Sequence, residues 1–314
     1  MAPKRMFRGF SLLRQPEVRT QMDLIATPVE ALKDKLTKTE KRFRKRMEGL
    51  NRKSVGIALG SGAARGMAHV GVLDVLFREG IPIDAVAGCS MGAVVGGCYA
   101  SGMDPEAIEE IAVDINRLDV ARHVDLVVPT RGGLMAGSRL DELLKELTGD
   151  RTFDNLRFPF ACVAADILTG DEVPMEDGFV HEAMKASSSI PGIFQPVVSG
   201  KRVLVDGGIL NPVPANYLLA IGVDVCIAVD VMPVLRPSEE QMGRIPSISA
   251  TLINSFDIMG RLVAAPLTSL ADLVIRPDVG EVFGAEFWRA PELIEKGREA
   301  ARGTIPAIRK ALEG

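Results

Sequence analysis

The segment Ala85-Val-Ala-Gly-Cys-Ser-Met-Gly92, with the uncharged run that continues to Met103, decides the reading of this chain. Its length approaches that of a membrane span, and it holds a Gly92-x-x-x-Gly96 pattern. Five glycines (Gly88, Gly92, Gly96, Gly97 and Gly102) interrupt it, however, and its first half has strand character. A buried strand, a tight turn and a helix account for it better than a lipid-crossing helix. The turn, Gly88-Cys-Ser-Met-Gly92, is a G-x-S-x-G motif between an apolar strand and an apolar helix, the setting of a nucleophile elbow. Such a turn strains its central residue and lifts it to the helix N-terminus, where the dipole favours developing negative charge. Ser90 is therefore the candidate nucleophile, with Gly88 and Gly92 removing side chains that would clash. Cys89, one residue before the tip, is expected to turn back into the core as a packing thiol. A glycine-rich turn with an incidental serine is the plain alternative.

Upstream, Val55-Gly-Ile-Ala-Leu59 is a second apolar strand and runs into Gly60-Ser-Gly-Ala-Ala-Arg-Gly66, after which helical periodicity begins. A glycine loop entering a helix leaves several backbone N–H groups aimed at one spot, which stabilises an anion. Alone, the loop would equally cradle a phosphate or make a tight turn. It lacks the Gly-Lys-Ser/Thr ending of a P-loop, and its last glycine falls one residue late for G-x-G-x-x-G. The next strand ends in the Ser90 turn rather than in a ribose-binding acid.

From Ser54 onward strand-like and helix-like runs alternate, the pattern of an α/β domain around a mainly parallel sheet. Strands are expected at 55–59, 85–88, 160–165, 203–205, 225–231 and 273–276. Helices are expected at 67–79, 91–100, 105–115, 138–147, 179–186, 214–220, 248–262 and 291–312. No internal repeat or low-complexity segment is present.

With 314 residues, 47% hydrophobic and 25% charged, the chain is long enough for one large core or two small domains. Its net charge of −4 hides a dipole: residues 1–53 hold 15 basic and 6 acidic side chains, net +9, which leaves 22 and 35, net −13, for residues 54–314. Two parts are expected, a basic amphipathic helical arm (1–53) and a catalytic domain (54–314). In the arm Val29, Leu36, Phe43 and Leu50 recur every seven residues, with Ile25 and Leu32 alongside. That stripe would lie against the body, form a short dimerising coil, or seat a basic helix on an anionic membrane surface. Four scattered cysteines without a C-x-x-C pair fit a reducing compartment. The first residues develop no apolar h-region, so a cytoplasmic protein without signal peptide or transmembrane helix, peripheral on the inner membrane face if the arm binds there, is expected. Three scattered histidines give no metal-ligand spacing, and the acidic body speaks against nucleic acid.

A serine nucleophile needs a base. The histidines, His69, His123 and His181, each have a plain reading as surface or helix-packing residues, and nothing after His181 can supply a closing histidine. Ser90, Asp166 and His181 remain a triad on paper. The better base is Asp206, where Lys201-Arg-Val-Leu-Val205 runs into Asp206-Gly207-Gly208 and then Asn211-Pro212. An acid at the C-terminal end of a strand, followed by glycines, is where an α/β site places one. A turn aspartate capping Gly207 is the alternative.

The residues from about Ser54 to the C-terminus resemble patatin-like phospholipases, particularly small bacterial members. Gly60, Gly62, Arg65 and Gly66 match the family's G-x-G-x-x-R/K-G loop; Gly88, Ser90 and Gly92 its elbow; Asp206, Gly207 and Gly208 its D-G-G/A motif, all in family order. Ala186-Ser-Ser-Ser-Ile-Pro191, with Phe194 and Pro196, looks like its substrate-side segment. The resemblance implies a three-layer α/β/α fold and a Ser90–Asp206 dyad needing no histidine and no cofactor. It also implies an oxyanion hole in the loop 60–66, at the N–H groups of Gly62 to Ala64, with Ala63 within it and Arg65 as its anchor. The implied activity is hydrolysis of fatty-acyl esters, phospholipid or lysophospholipid. Transfer of the acyl group to another acceptor and an idle, regulatory patatin-like shell are the alternatives. Oligomeric state, homodimer included, is not legible.

Overall fold

The computed structural model describes residues 27–117, 133–232, 243, 245–280, 282, 284 and 286–313. His123 and Ile25, both weighed above, lie outside the described residues.

β1 (Val55–Leu59) and β2 (Ala85–Cys89) set the architecture. Side chains alternate across a strand. Val55, Ile57, Leu59 and Val86 therefore enter one core, and Ala58, Ala85, Ala87 and Cys89 enter another on the opposite face. Every residue of both strands is buried, as expected of a sheet covered on both faces. The remaining strands are β3 (Gly133–Met135), β4 (Phe160–Asp166), β5 (Glu172–Met175), β6 (Gly192–Phe194), β7 (Val197–Ser199), β8 (Arg202–Asp206), β9 (Val225–Val229) and β10 (Leu273–Ile275). The large sheet runs β10-β9-β1-β2-β4-β8-β7, with β5 also on β4, while β3 and β6 pair separately. Strands β10 to β4 in that order are parallel. β5, β8 and β7 join antiparallel, so the sheet is mixed.

The helices are α1 (Val29–Lys35), α2 (Thr37–Met47), α3 (Ala68–Arg78), α4 (Met91–Ala100), α5 (Pro105–Arg117), α6 (Ser138–Thr148), α7 (Val180–Ser187), α8 (Ala215–Ile221), α9 (Ile248–Thr268) and α10 (Ala290–Glu313). Apolar side chains of α3, α4 and α10 fill the large-residue face. Those of α1, α2, α8 and α9 cover the alanine-rich face, giving three layers. Strands β3, β5, β6 and β7 were not expected; each is three or four residues long, too short to display a period of two. α9 runs six residues past its expected end at Leu262, with Pro266 inside its last turn.

The seven-residue stripe of the arm does not form one helix. α1 stops at Lys35 and α2 starts at Thr37, with Leu36 between them at φ −107°. Leu50 is exposed, but Leu32, Leu36 and Phe43 are buried with α8. This stripe therefore faces the body and is occupied. The first turn of α2 is held by a carboxylate from elsewhere in the chain: the N–H groups of Thr39 and Lys38 donate to Glu176 at 2.7 and 3.2 Å. That satisfies orphan donors at a helix start and sets an anion at the positive end of its dipole. Beyond the end of α2, Asp84 accepts two 2.7 Å bonds from Arg52 and one of 2.9 Å from the Val55 N–H, fixing the entry into β1.

Candidate active site

Ser90 sits between β2 and α4 with φ 54° and ψ −123°, a left-handed conformation that is strained for any residue with a side chain. Close approach of the surrounding backbone enforces the turn. A Cβ at Gly92 would lie 2.1 Å from the Leu59 carbonyl oxygen, and one at Gly88 2.6 Å from the Ala93 Cα. The Ser90 carbonyl accepts from Ala93 and Val94 at 2.8 and 3.1 Å, starting the helix. Its N–H donates to the Ser187 hydroxyl at 3.0 Å.

The base candidate reaches the serine through strand register. Along β4, Val163 pairs with Cys89 of β2 on one edge and with Pro174 of β5 on the other. The next residue, Ala164, pairs with Asp206 of β8 and with Val173 of β5. β5 fills one edge from Cys162 to Ala165, across the point where β2 stops and β8 begins, so β2 and β8 share the other edge and meet end to end. The last residue of β8 thus abuts the residue that follows β2. The Asp206 N–H donates to the Ser189 carbonyl at 2.9 Å, so the Ala186–Pro191 segment braces both residues.

Asp206 is wholly buried, and burial pushes its carboxyl up to about 7 against the pull of Ser90 and of the Gly208 N–H. Oδ1 accepts from Gly208 at 2.8 Å, within the turn made by Gly207 and Gly208. Oδ2 has no fully formed hydrogen bond among the described residues. The Ser90 hydroxyl therefore acts on the carboxylate without closing tight geometry, as is common before substrate binds.

In the loop 60–66 several N–H groups are already engaged. Gly60 donates to Val229, Ser61 to Pro212, Ala64 to Gly284 and Arg65 to Gly62, at 3.0, 2.7, 3.0 and 3.0 Å. Ala64, expected to offer a donor, is thus occupied by the Gly284 carbonyl. No described residue accepts from the N–H of Gly62 or Ala63. Gly66 lies within the 3₁₀ turn Ala63–Met67. His69 Nε2 donates to the Gly60 carbonyl at 2.7 Å, and burial lowers its pKa to about 4. It braces the loop as a neutral ring.

Ser90, Asp166 and His181 are not assembled as a triad. His181 bonds Asp141 at 2.9 Å and lies 3.4 Å from Asp150, while Asp166 caps its own turn through Leu168 at 3.1 Å. Cys89 is buried, and burial pushes its thiol well above the usual range, so it is held as a neutral thiol.

Three residues from α9 complete the site, and sequence reading missed them. Ile253, Phe256 and Asp257, with Ser61, Ala63, Ser90 and Ile190, enclose a cavity of about 10 Å³, room on the order of one water molecule. Asp257 accepts from Arg65 Nη2 at 2.6 Å, and Arg65 Nη1 donates to the Val282 carbonyl at 2.8 Å. Only the Asp257 carboxylate within an apolar helix signalled this in the sequence.

The patatin-like phospholipase family model matches residues 57–219, more than half of the chain. This chain belongs to that family. The match spans the loop, the elbow and the Asp206 turn. An uncharacterized NTE family protein from Mycobacterium tuberculosis strain CDC 1551 is 32% identical over 284 residues, 81% of this chain and 47% of that protein. Lysophospholipase NTE1 from Candida albicans is 32% identical over 185 residues, 58% of this chain and 13% of that protein. The solved structure of VipD from Legionella pneumophila aligns over 82% of this chain and 67% of that one, with 14% identity and a TM-score of 0.48. This chain spans about half the length of the curated mycobacterial relatives it matches.

Proposed function

We propose that this patatin-like chain hydrolyses fatty-acyl esters of lipids, phospholipid or lysophospholipid, with Ser90 as nucleophile and Asp206 as base. The observation that carries the reading is the end-to-end meeting of β2 and β8 along β4, which brings a strained serine to a buried carboxyl.

A base that titrates near 7 is half carboxylate at neutral pH, where a general base works best. As Ser90 Oγ attacks the ester carbonyl, its proton passes to Asp206. The carbonyl electrons move onto oxygen, and that oxyanion faces the N–H groups of Gly62 and Ala63. Each such donor is worth roughly 3 kcal/mol of barrier in comparable sites. Asp206 then protonates the departing alcohol, leaving an acyl-serine. Water, deprotonated by the same carboxylate, releases the fatty acid.

The test is labelling by a fluorophosphonate probe, read by intact mass, of wild type, Ser90→Ala and Asp206→Asn, with hydrolysis of a p-nitrophenyl acyl ester alongside. Both signals are expected in wild type and neither in Ser90→Ala. A Ser90→Ala protein that keeps full esterase activity sinks the reading.

A further inference from the structure

Among the described residues, α9 is unusual in being apolar on two faces. Its inner face, with Ile253, Phe256 and Asp257, closes the cavity over Ser90. Its outer face carries Ile248, Leu252, Met259 and Leu262, spaced four, seven and three residues apart and so along one stripe, with Ile258 beside it and the exposed hydroxyls of Thr251 and Ser255 among them, both bonded back to the helix's own carbonyls. Ile248 is 80% exposed, Met259 52% and Leu262 71%. A surface helix ordinarily turns a charged or polar face outward, and four large exposed apolar side chains on one helix face mark a surface that something covers.

We infer that this outer face of α9 docks on an anionic lipid surface, setting the closed end of the Ser90 cavity against the bilayer. The inference rests on the hydrolase reading for the lipid's role as substrate, and on three observations for the docking. The large side chains of the stripe are aliphatic and thioether, on one face of one helix, without the Trp or Tyr anchors of a protein interface. The only charged residues of α9 are Asp257, buried in its pair with Arg65, and Arg261, exposed, so the helix shows solvent a cation. And the same helix lines the serine's cavity through Ile253, Phe256 and Asp257, so a surface that holds its outer face lies close to the site. No described helix is long and apolar enough to cross a membrane.

The experiment is flotation of the full chain with vesicles of equal parts phosphatidylcholine and phosphatidylglycerol. Wild type is compared with Ile248→Ser/Met259→Ser/Leu262→Ser, all three exposed and outside the site. The vesicle-bound fraction is expected to fall at least about tenfold, together with hydrolysis of vesicle phospholipid. Hydrolysis of a soluble short-chain p-nitrophenyl ester and the thermal melt stay unchanged. Wild type that does not float, or a variant that floats equally, overturns the inference. So does loss of a dimer in light scattering with flotation intact, which makes the stripe a contact between copies. Flotation does not depend on turnover: a chain that floats through this stripe yet hydrolyses neither ester sinks the hydrolase reading and leaves the docking standing.

Discussion

Arg65 and Asp257 form an ion pair at 2.6 Å that is almost wholly buried and ties the turn after β1 to the middle of α9. Burial raises the Asp257 carboxyl above its ordinary value despite the guanidinium beside it. The pair is held for where it puts α9 rather than for large net stability, because desolvation of two charges offsets most of their attraction.

Breaking that pair from one side strands a charge. Asp257→Ala is expected to lower unfolding free energy by roughly 3–5 kcal/mol, because Arg65 is left buried with only the Val282 carbonyl. Arg65→Met/Asp257→Leu, which removes both charges, should cost less than half as much. Urea unfolding at neutral pH measures both, and a near-silent Asp257→Ala would mean that water reaches the pair in solution.

The segment Val29–Met47 is expected to behave as part of the fold. Leu36 and Phe43 sit in the core on the alanine-rich face, so Leu36→Ala and Phe43→Ala should each cost about 2–5 kcal/mol. An arm that is merely solvated would give changes within about 0.5 kcal/mol. Chemical denaturation followed by far-UV circular dichroism separates the two outcomes.

Strain at the elbow makes a further expectation. Ser90 is held at φ 54°, which glycine adopts freely and alanine does not. Ser90→Gly should therefore be more stable than Ser90→Ala by about 1 kcal/mol, reversing the usual order of these residues. Thermal melts of the two variants read it directly, and alanine equal to or above glycine would contradict the strained backbone.

Much of this site is legible because its motifs are local. G-x-S-x-G must be a strand, turn and helix, for the Gly92 position admits no Cβ beside Leu59. The expected long strands and helices were found for the same reason, with ends shifted by a few residues. What could not be read was register. Nothing in Ala85–Gly92 or Lys201–Gly208 says that β2 and β8 share one edge of β4, since that depends on β5 occupying the other. Ile253, Phe256 and Asp257 lie more than 150 residues from Ser90, and their inward face appears only once α9 is laid across the loop. Ala64 failed as a donor because its acceptor, the Gly284 carbonyl, belongs to a distant irregular segment.

The titration of Asp206 carries two consequences of opposite sign. Its carboxyl goes from an ordinary value of 3.8 to about 7 in the fold. On the proposed reading Asp206 acts as base only when ionised, so kcat/KM for a soluble p-nitrophenyl ester should fall about tenfold per unit below pH 7 and level off above it. Stability runs the other way. A raised carboxyl pKa means that the folded chain holds the proton more tightly than the unfolded one. The stabilisation is complete below the unfolded value and is lost as pH rises through the folded one. Asp206→Asn removes this titration, so its unfolding free energy relative to wild type should improve by about 2 kcal/mol between pH 5 and pH 7. Urea unfolding of both proteins across that range measures the difference. A flat difference would mean that Asp206 is ionised throughout, and a rate profile that still bends near 7 would then have to come from another group.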